Sequence, residues 1–147
     1  MAKEIERKYL VTDDSYRSMA TECRHIKQGY LSREVEATVR VRIVDGRGYL
    51  TVKGKNRGAT RDEWEYEIAA EDAEQMLARC CKGTVIVKNR YIVEHDGYDW
   101  EIDEYINPAG IPTVAEIELV SEEDRPALPG FVGTEVTGNP SYYNSNL

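Results

Sequence analysis

Charged and apolar residues alternate along most of this chain with the period of two that is typical of β-strands. The stretch from Glu4 to Tyr9 shows the pattern first. Because neighbouring strand residues point to opposite faces, Glu4, Glu6 and Lys8 share one face of this strand. The same alternation, interrupted by turn residues, predicts about eight strands. They lie at approximately 3–11, 25–33, 38–44, 49–55, 63–68, 84–94, 98–105 and 113–120.

Two segments between the strands favour helices instead. A capping residue at Thr12 or Asp13 predicts a short helix that continues to about Glu22. Apolar residues at helical spacing predict a second helix over 71–82, which Gly83 is expected to end. Prolines and glycines are frequent after the last predicted strand, so we expect no long regular element in the tail.

The charges on the strands are sorted by sign from one strand to the next. This sorting is unusual, because like charges two residues apart repel each other and bring no benefit to a plain sheet. The acidic pairs are Glu4/Glu6, Glu65/Glu67, Glu101/Asp103 and Glu116/Glu118, and the basic residues are Arg40/Arg42, Lys88/Arg90, Lys8 and Lys53.

Two architectures are compatible with this pattern. In the first, the charged faces are the solvated side of a half-exposed sheet. In the second, about eight antiparallel strands close into a barrel that has its charges inside and two helices packed outside. We favour the barrel, a mostly β fold of the α+β class, formed by one domain over residues 1–147. Carboxylates gathered on one side of its lumen would bind a divalent cation, and the basic residues opposite would bind phosphate oxygens. The last residues, 137–147, would either fold back over one mouth of this tunnel or pack on its outer surface.

Composition excludes several other classes of protein. Hydrophobic residues make up 41% of the 147, which is enough for a folded domain, and no apolar run approaches the roughly 20 residues of a membrane helix. The charged N-terminus does not resemble a signal peptide, so we expect a cytoplasmic protein that does not bind membranes. Three cysteines and two histidines lack the spacing of disulfide or zinc sites. The net charge of −8 argues against nucleic-acid binding.

The charged pairs also resemble a known family. The motif Glu4-x-Glu6-x-Lys8 resembles the N-terminal signature of the CYTH group, also called triphosphate tunnel metalloenzymes. Further segments occur in the order of that family, so the resemblance covers nearly the whole chain. These segments are Arg40-x-Arg42, Thr51-x-Lys53, Glu65-x-Glu67, Lys88-x-Arg90, Trp100-x-Ile102-Asp103 and Glu116-x-Glu118.

The resemblance implies a role for each matching residue. Mg²⁺ or Mn²⁺ would be the cofactor, held by the carboxylates Glu4, Glu6, Asp103, Glu116 and Glu118. The triphosphate would be held by the basic residues Lys8, Arg40, Arg42, Lys53, Lys88 and Arg90. Tyr30 resembles a tyrosine that pairs with the signature lysine. Lys8, Glu65 or Glu67 would orient or deprotonate the attacking water, and the sequence does not decide which.

Several activities occur in this family. The chain most resembles its short bacterial members, so we expect hydrolysis of a terminal phosphate, with inorganic triphosphate as the small-molecule substrate. The alternatives are a class IV adenylate cyclase, a thiamine triphosphatase, and a polyphosphate- or nucleotide-binding module without catalysis. A homodimer is compatible with the sequence, which does not determine the oligomeric state.

Overall fold

The alternating stretches form nine β-strands in the computed structural model, which describes residues 3–147. The strands are β1 (Lys3–Val11), β2 (Glu22–Glu34), β3 (Ala37–Val44), β4 (Arg47–Lys53), β5 (Thr60–Ile68), β6 (Lys82–His95), β7 (Tyr98–Asn107), β8 (Val114–Glu118) and β9 (Val132–Glu135). The helices are α1 (Tyr16–Met19) and α2 (Ala70–Arg79), and two 3₁₀ turns follow at Pro140–Tyr142 and Asn144–Asn146. None of the helices within residues 3–147 is both long and apolar enough to cross a lipid bilayer.

The first eight strands close into a barrel. Going around it, the order is β1-β5-β4-β3-β2-β6-β7-β8, and every neighbouring pair is antiparallel. The closing contact is short, since it joins Lys3–Ile5 of β1 to Thr60–Asp62 of β5. Further along the same edge, β1 pairs with β9 instead. The predicted closed eight-stranded barrel is therefore confirmed, with one strand added to it.

The apolar faces of the strands point outward, and most of them are covered there, although Trp64 and Tyr66 of β5 are exposed. Helix α2 packs against β3 and β4, where Ala73 and Leu77 join Val41 in a buried cluster. A second cluster lies outside β1, β6, β7 and β8. Trp100 and Ile102 of β7 are buried in this cluster, and Phe131 covers it from the segment that precedes β9. The hydrophobic core thus lies around the barrel, and its lumen is left to the charged residues.

The helical segments are shorter than predicted. The first helix was expected to reach Glu22 but occupies a single turn, because Glu22 and Cys23 are already paired with β6 as part of β2. Helix α2 ends at Arg79, before the predicted position 82. Gly83 does not cap it. It lies inside β6 with a φ of 76°, where an added β-carbon would come within 2.9 Å of the Arg33 guanidinium.

The tail contains one strand that the sequence did not predict. Val132–Glu135 forms β9 in a segment that is rich in proline and glycine. Four residues carry too little periodicity to indicate a strand. They become one because β1 offers a free edge beyond its short contact with β5.

Gly29 allows close packing between β2 and α2, and we expect Gly29→Ala to destabilise the fold. A β-carbon at this position would lie 2.5 Å from Sγ of Cys81 and 3.1 Å from a methyl group of Leu77. Overpacking of this kind costs about 1–3 kcal/mol, which urea denaturation would measure as a lower free energy of unfolding. Gly130→Ala is the matched control, because that β-carbon would meet no heavy atom of residues 3–147 within 4 Å. Equal stability of the two variants would contradict this interpretation of the packing.

Candidate active site

The barrel encloses a cavity of about 220 Å³ that is lined mainly by charged side chains. This volume lies below the roughly 300–1,000 Å³ of pockets for drug-sized ligands, so a compact ligand suits it. The charged side chains of its lining are Glu4, Glu6, Glu63, Glu65, Glu101, Glu116 and Glu118, with Lys8, Arg40, Arg42, Lys53, Arg61 and Arg90. The lining thus has nearly equal numbers of acidic and basic side chains, which suits a complex of a polyanion with a cation.

One side of the cavity, which we call the basic side, is formed by Arg40 and Arg42 of β3, Lys53 of β4 and Arg90 of β6. Burial, together with the neighbouring Arg40 and Arg90, lowers the pKa of Arg42 to about 10. The Nε atoms of Arg40 and Arg42 are buried without a hydrogen-bond partner among residues 3–147. Buried donors without acceptors are costly, and a bound anion would satisfy them.

A buried ion-pair network lies beneath the basic side. Lys88 and Asp103 are completely buried and lie 2.7 Å apart. Arg90 donates to both carboxylate oxygens of Asp103, at 2.8 and 2.9 Å. Burial lowers the pKa of Lys88 to about 8, although the adjacent Asp103 acts in the opposite direction. Asp103, which was predicted to help bind metal, thus has both oxygens engaged in holding Lys88 and Arg90.

The opposite side, the acidic side, is formed by Glu4 and Glu6 of β1 with Glu116 and Glu118 of β8. Two of these glutamates have basic partners. Glu4 lies 3.1 Å from Lys53, and Glu116 lies 3.5 Å from Lys8.

Because only some of these carboxyl groups have a basic partner, their pKa values are shifted in different directions. Burial acts most strongly and in the raising direction, but Lys8, Arg90 and a hydrogen bond with Glu6 together lower the pKa of Glu116 to about 2. Burial and the nearby Glu116 raise the pKa of Glu6 well above its ordinary value. Burial and Glu4 also raise the pKa of Glu118. Glu6 and Glu118 stand directly opposite each other in the β1–β8 register, so each disfavours ionisation of the other until a cation binds between them.

This donor set fits a hard divalent cation that arrives with its ligand. Within residues 3–147, no three His, Cys, Asp or Glu side chains are close enough to hold a metal by themselves. Mg²⁺ does not need such a cage, because it is usually bound by one or two carboxylates together with substrate phosphates and water. The facing carboxylates Glu6 and Glu118 supply that number of oxygen donors.

Lys8 lies where the two sides and the chain's tail meet. Its ammonium donates to the carbonyl oxygen of Tyr142 at 2.9 Å and lies 3.5 Å from Glu116. Burial acts to lower the pKa of Lys8, but Glu116 and Glu6 raise it above the ordinary value, so Lys8 remains a cation. Tyr30 lines the same cavity, and its ring stacks with the guanidinium of Arg33 at 5.1 Å.

Of the two β5 carboxylates that the sequence predicted for the site, one lines the cavity. Glu65 lines the cavity, where it accepts from Thr51 at 2.8 Å and from Arg42 at 3.3 Å. Glu67 is exposed outside this lining and lies 3.8 Å from Arg47. Glu63, which the sequence analysis did not select, lines the cavity and lies 3.2 Å from Lys53. It shares the strand face of Glu65, so the alternation alone could have identified it.

Other cavity residues were missed because they are not part of strand-face charge pairs. Arg61 and Asn56 come from the segment around the start of β5, and Tyr143, Asn144 and Ser145 come from the tail. Glu101 was recognised as half of an acidic pair but was assigned no role. It lies 3.3 Å from Arg90. For Asn56 and Arg61, nothing in the local sequence indicates proximity to the cavity, whereas the tail was expected either to fold back over one mouth of the tunnel or to pack on its outer surface.

A closed barrel whose lumen sets carboxylates against lysines and arginines defines a class of proteins that bind anionic ligands inside a tunnel. Comparison with known families agrees with this class. The CYTH domain model matches residues 2–143 of this chain. The chain therefore belongs to the CYTH domain family, which confirms the resemblance seen in its charged motifs.

Individual relatives support the same assignment. The chain is 43% identical to the inorganic triphosphatase of Acetivibrio thermocellus, over all of its own length and 94% of that protein. Among solved structures, the inorganic triphosphatase NE1496 superposes with a TM-score of 0.66 at 26% identity, over 97% of this chain and 95% of that chain. HpAC1 from Hippeastrum, with a TM-score of 0.66 at 16% identity over 80% of each chain, shows the shared fold alone.

Proposed function

We propose that this protein hydrolyses inorganic triphosphate with the help of a divalent cation. The observation that carries the proposal is the arrangement of the cavity. Buried arginine donors that have no acceptor among residues 3–147 face two carboxyl groups that stand opposite each other, Glu6 and Glu118, across a cavity of about 220 Å³. The relative with 43% identity is named as an inorganic triphosphatase, which supports the same substrate.

The basic side would hold the phosphates. Arg40, Arg42 and Arg90 reach the cavity from two strands, and Lys53 and Lys8 complete the cradle. Arginine binds phosphate oxygens through a planar fork, so it positions the substrate as well as neutralising its charge. Phosphoryl transfer depends mainly on such positioning and charge stabilisation, with little covalent chemistry by the protein. Lys88 would act indirectly. It pairs with Asp103, which also accepts hydrogen bonds from Arg90, so it helps to position Arg90.

The acidic side would hold Mg²⁺ or Mn²⁺ through Glu6 and Glu118, with Glu4 and Glu116 beside them. When bound, such an ion neutralises phosphate charge and makes a bound water more acidic.

The attacking water needs a proton acceptor inside the cavity. Lys8 is a poor acceptor because nearby carboxylates raise its pKa and keep it protonated. Glu67 lies outside the cavity lining, whereas the carboxylate of Glu65 lies within it. We therefore assign proton acceptance to Glu65 and electrostatic positioning to Lys8. Thr51, Arg40 and Arg42 hold the Glu65 carboxylate in place from its own side of the barrel.

The proposal predicts release of orthophosphate from inorganic triphosphate with Mg²⁺ or Mn²⁺, and none with a chelator. Pyrophosphate, ATP and thiamine triphosphate complete the substrate panel, and we expect inorganic triphosphate to have the highest kcat/KM. Production of cyclic AMP and pyrophosphate from ATP would identify a cyclase. Tight binding of triphosphate without turnover for any divalent ion would identify a binding module.

The metal assignment is tested by a variant in the same assay. Glu118→Gln removes a charge from the facing pair, so we expect the Mg²⁺ concentration for half-maximal activity to rise at least about 10-fold. Glu94→Gln is the control, since Glu94 is exposed on β6 and does not line the cavity. An unchanged Mg²⁺ requirement in Glu118→Gln would exclude Glu118 as a ligand.

A further inference from the structure

The last ten residues, 138–147, lie across one end of the barrel, and we call them the strap. The chain reaches this position along β1. The Val136 amide donates to the Lys8 carbonyl at 2.8 Å, and the Thr137 hydroxyl accepts from the Lys8 amide at 3.0 Å. Four strap residues, Gly138, Tyr143, Asn144 and Ser145, then contribute to the lining of the cavity.

The strap is fastened to the barrel at four places. The carbonyl of Tyr142 accepts from the Lys8 ammonium at 2.9 Å, and the Tyr143 hydroxyl accepts from Asn56 at 2.9 Å. Two more bonds fasten the following residues. The Asn144 side chain accepts from the Tyr105 hydroxyl at 2.6 Å, and the Ser145 carbonyl accepts from the Arg33 guanidinium.

These fastening points are spread evenly around the opening. Lys8 belongs to β1, Asn56 follows β4, Arg33 belongs to β2 and Tyr105 to β7. In the order around the barrel, one strand lies between each of these and the next, namely β5, β3, β6 and β8 in turn. A segment packed on the outer surface would contact neighbouring strands on one side. Contacts with every second strand show that the strap spans the opening.

All four points also lie at the same end of the barrel. Strands β2, β4 and β7 finish there, and β3, β5, β6 and β8 begin there. The turns after β3 and β6, at Asp45–Gly46 and Asp96–Gly97, lie at the opposite end. The strap therefore lies across one mouth of the tunnel, and a substrate would enter from the opposite end.

We propose that the strap determines which polyphosphates this protein accepts, by making the tunnel closed at one end. The inference rests on the proposed triphosphatase function and adds a limit on chain length. A phosphate at the closed end must be the last of its chain, because Tyr142, Tyr143 and Asn144 occupy the space beyond. A tunnel open at both ends would let a longer linear polyphosphate pass through with its inner phosphates next to the acidic side.

Two variants of the full chain test this role. The first ends after Gly138. The second, Tyr143→Phe with Asn144→Ala, keeps the strap and removes the acceptors for Asn56 and Tyr105. Ser141→Ala is the control, because its exposed side chain contacts neither the barrel nor the cavity, and its backbone amide keeps its bond to Asn139. Activity is measured with inorganic triphosphate, inorganic tetraphosphate and long-chain linear polyphosphate.

We expect the ratio of kcat/KM for tetraphosphate to that for triphosphate to rise about 10-fold or more in both variants and to stay unchanged in Ser141→Ala. Binding of the same two anions is measured by calorimetry without divalent ions, and the same change in preference is expected there. An unchanged preference in folded variants would overturn the inference. If the intact protein binds triphosphate but hydrolyses nothing, the proposed function fails, while the calorimetric preference still tests the strap.

Discussion

Lys8→Ala is expected to lower kcat/KM for inorganic triphosphate by about 10²–10³-fold, the loss that follows removal of one preorganised charge-stabilising donor. The Lys8 ammonium is buried between Glu116 and the Tyr142 carbonyl. Its position is therefore fixed before a substrate arrives, and no reorganisation is needed when charge develops on the phosphate. Steady-state release of orthophosphate in saturating Mg²⁺ measures the effect.

The control for this variant is Lys27→Ala. Lys27 lies on the outer face of β2, 3.7 Å from Glu74 of α2, and does not line the cavity. Removal of this lysine should leave kcat/KM nearly unchanged, because an exposed ion pair contributes at most about 1 kcal/mol to stability. Full activity of a folded Lys8→Ala protein would exclude Lys8 from the reaction.

Asp103→Asn is expected to lower the free energy of unfolding by about 3–5 kcal/mol, because it leaves the buried ammonium of Lys88 beside a neutral amide and leaves Arg90 with Glu101 as its remaining ion-pair partner among residues 3–147. Lys88 lies completely buried beneath the basic side, whereas Arg90 reaches the cavity, so most of the loss is expected to come from Lys88. Chemical denaturation at pH 6.5 measures the loss. Asp99→Asn on the same strand is the control, since Asp99 is exposed, and it should change stability little.

The pH dependence of this loss follows from Lys88. Its pKa of about 8 is lower than that of a lysine in the unfolded chain, so the folded protein binds fewer protons above this pH. The contribution of Lys88 to the free energy of unfolding therefore increases as the pH rises from about 8 towards the pKa of a lysine in the unfolded chain. Without Asp103 the lysine loses its proton still more readily. The penalty of Asp103→Asn should be smaller at pH 9.5 than at pH 6.5, and an equal penalty would contradict burial of a charged Lys88.

Much of the barrel could be predicted because alternation is a local property. In β1, Glu4, Glu6 and Lys8 share a face through backbone geometry alone, whatever surrounds them. The same rule placed Arg40 and Arg42 together on β3 and paired Glu116 with Glu118 on β8. Short elements were predicted less well. The single turn of α1 and the four residues of β9 depend on pairing with distant strands more than on their own sequence.

The active-site residues also divide into features that the local sequence predicts and features that depend on distant residues. The sequence identified the charged residues that line the cavity from β1, β3, β4 and β8, and the closed barrel brings them together. It did not distinguish Glu6 from Glu4, although Lys53 pairs with Glu4 and leaves Glu6 beside further carboxylates. It also did not separate Glu67 from Glu65, since the two differ only in how far along β5 they lie from the lumen.

By itself, the sequence determined that the charged residues share strand faces, that these faces are sorted by sign, and that the family is CYTH. Only the tertiary structure decided which carboxylates are neutralised, which arginine donors remain without acceptors, and which end of the tunnel the strap closes. The physical reason is how far along the chain the determining residues lie. The face of a side chain follows from its position in its own strand, whereas its ion partner and its pKa depend on residues that barrel closure brings from far along the chain.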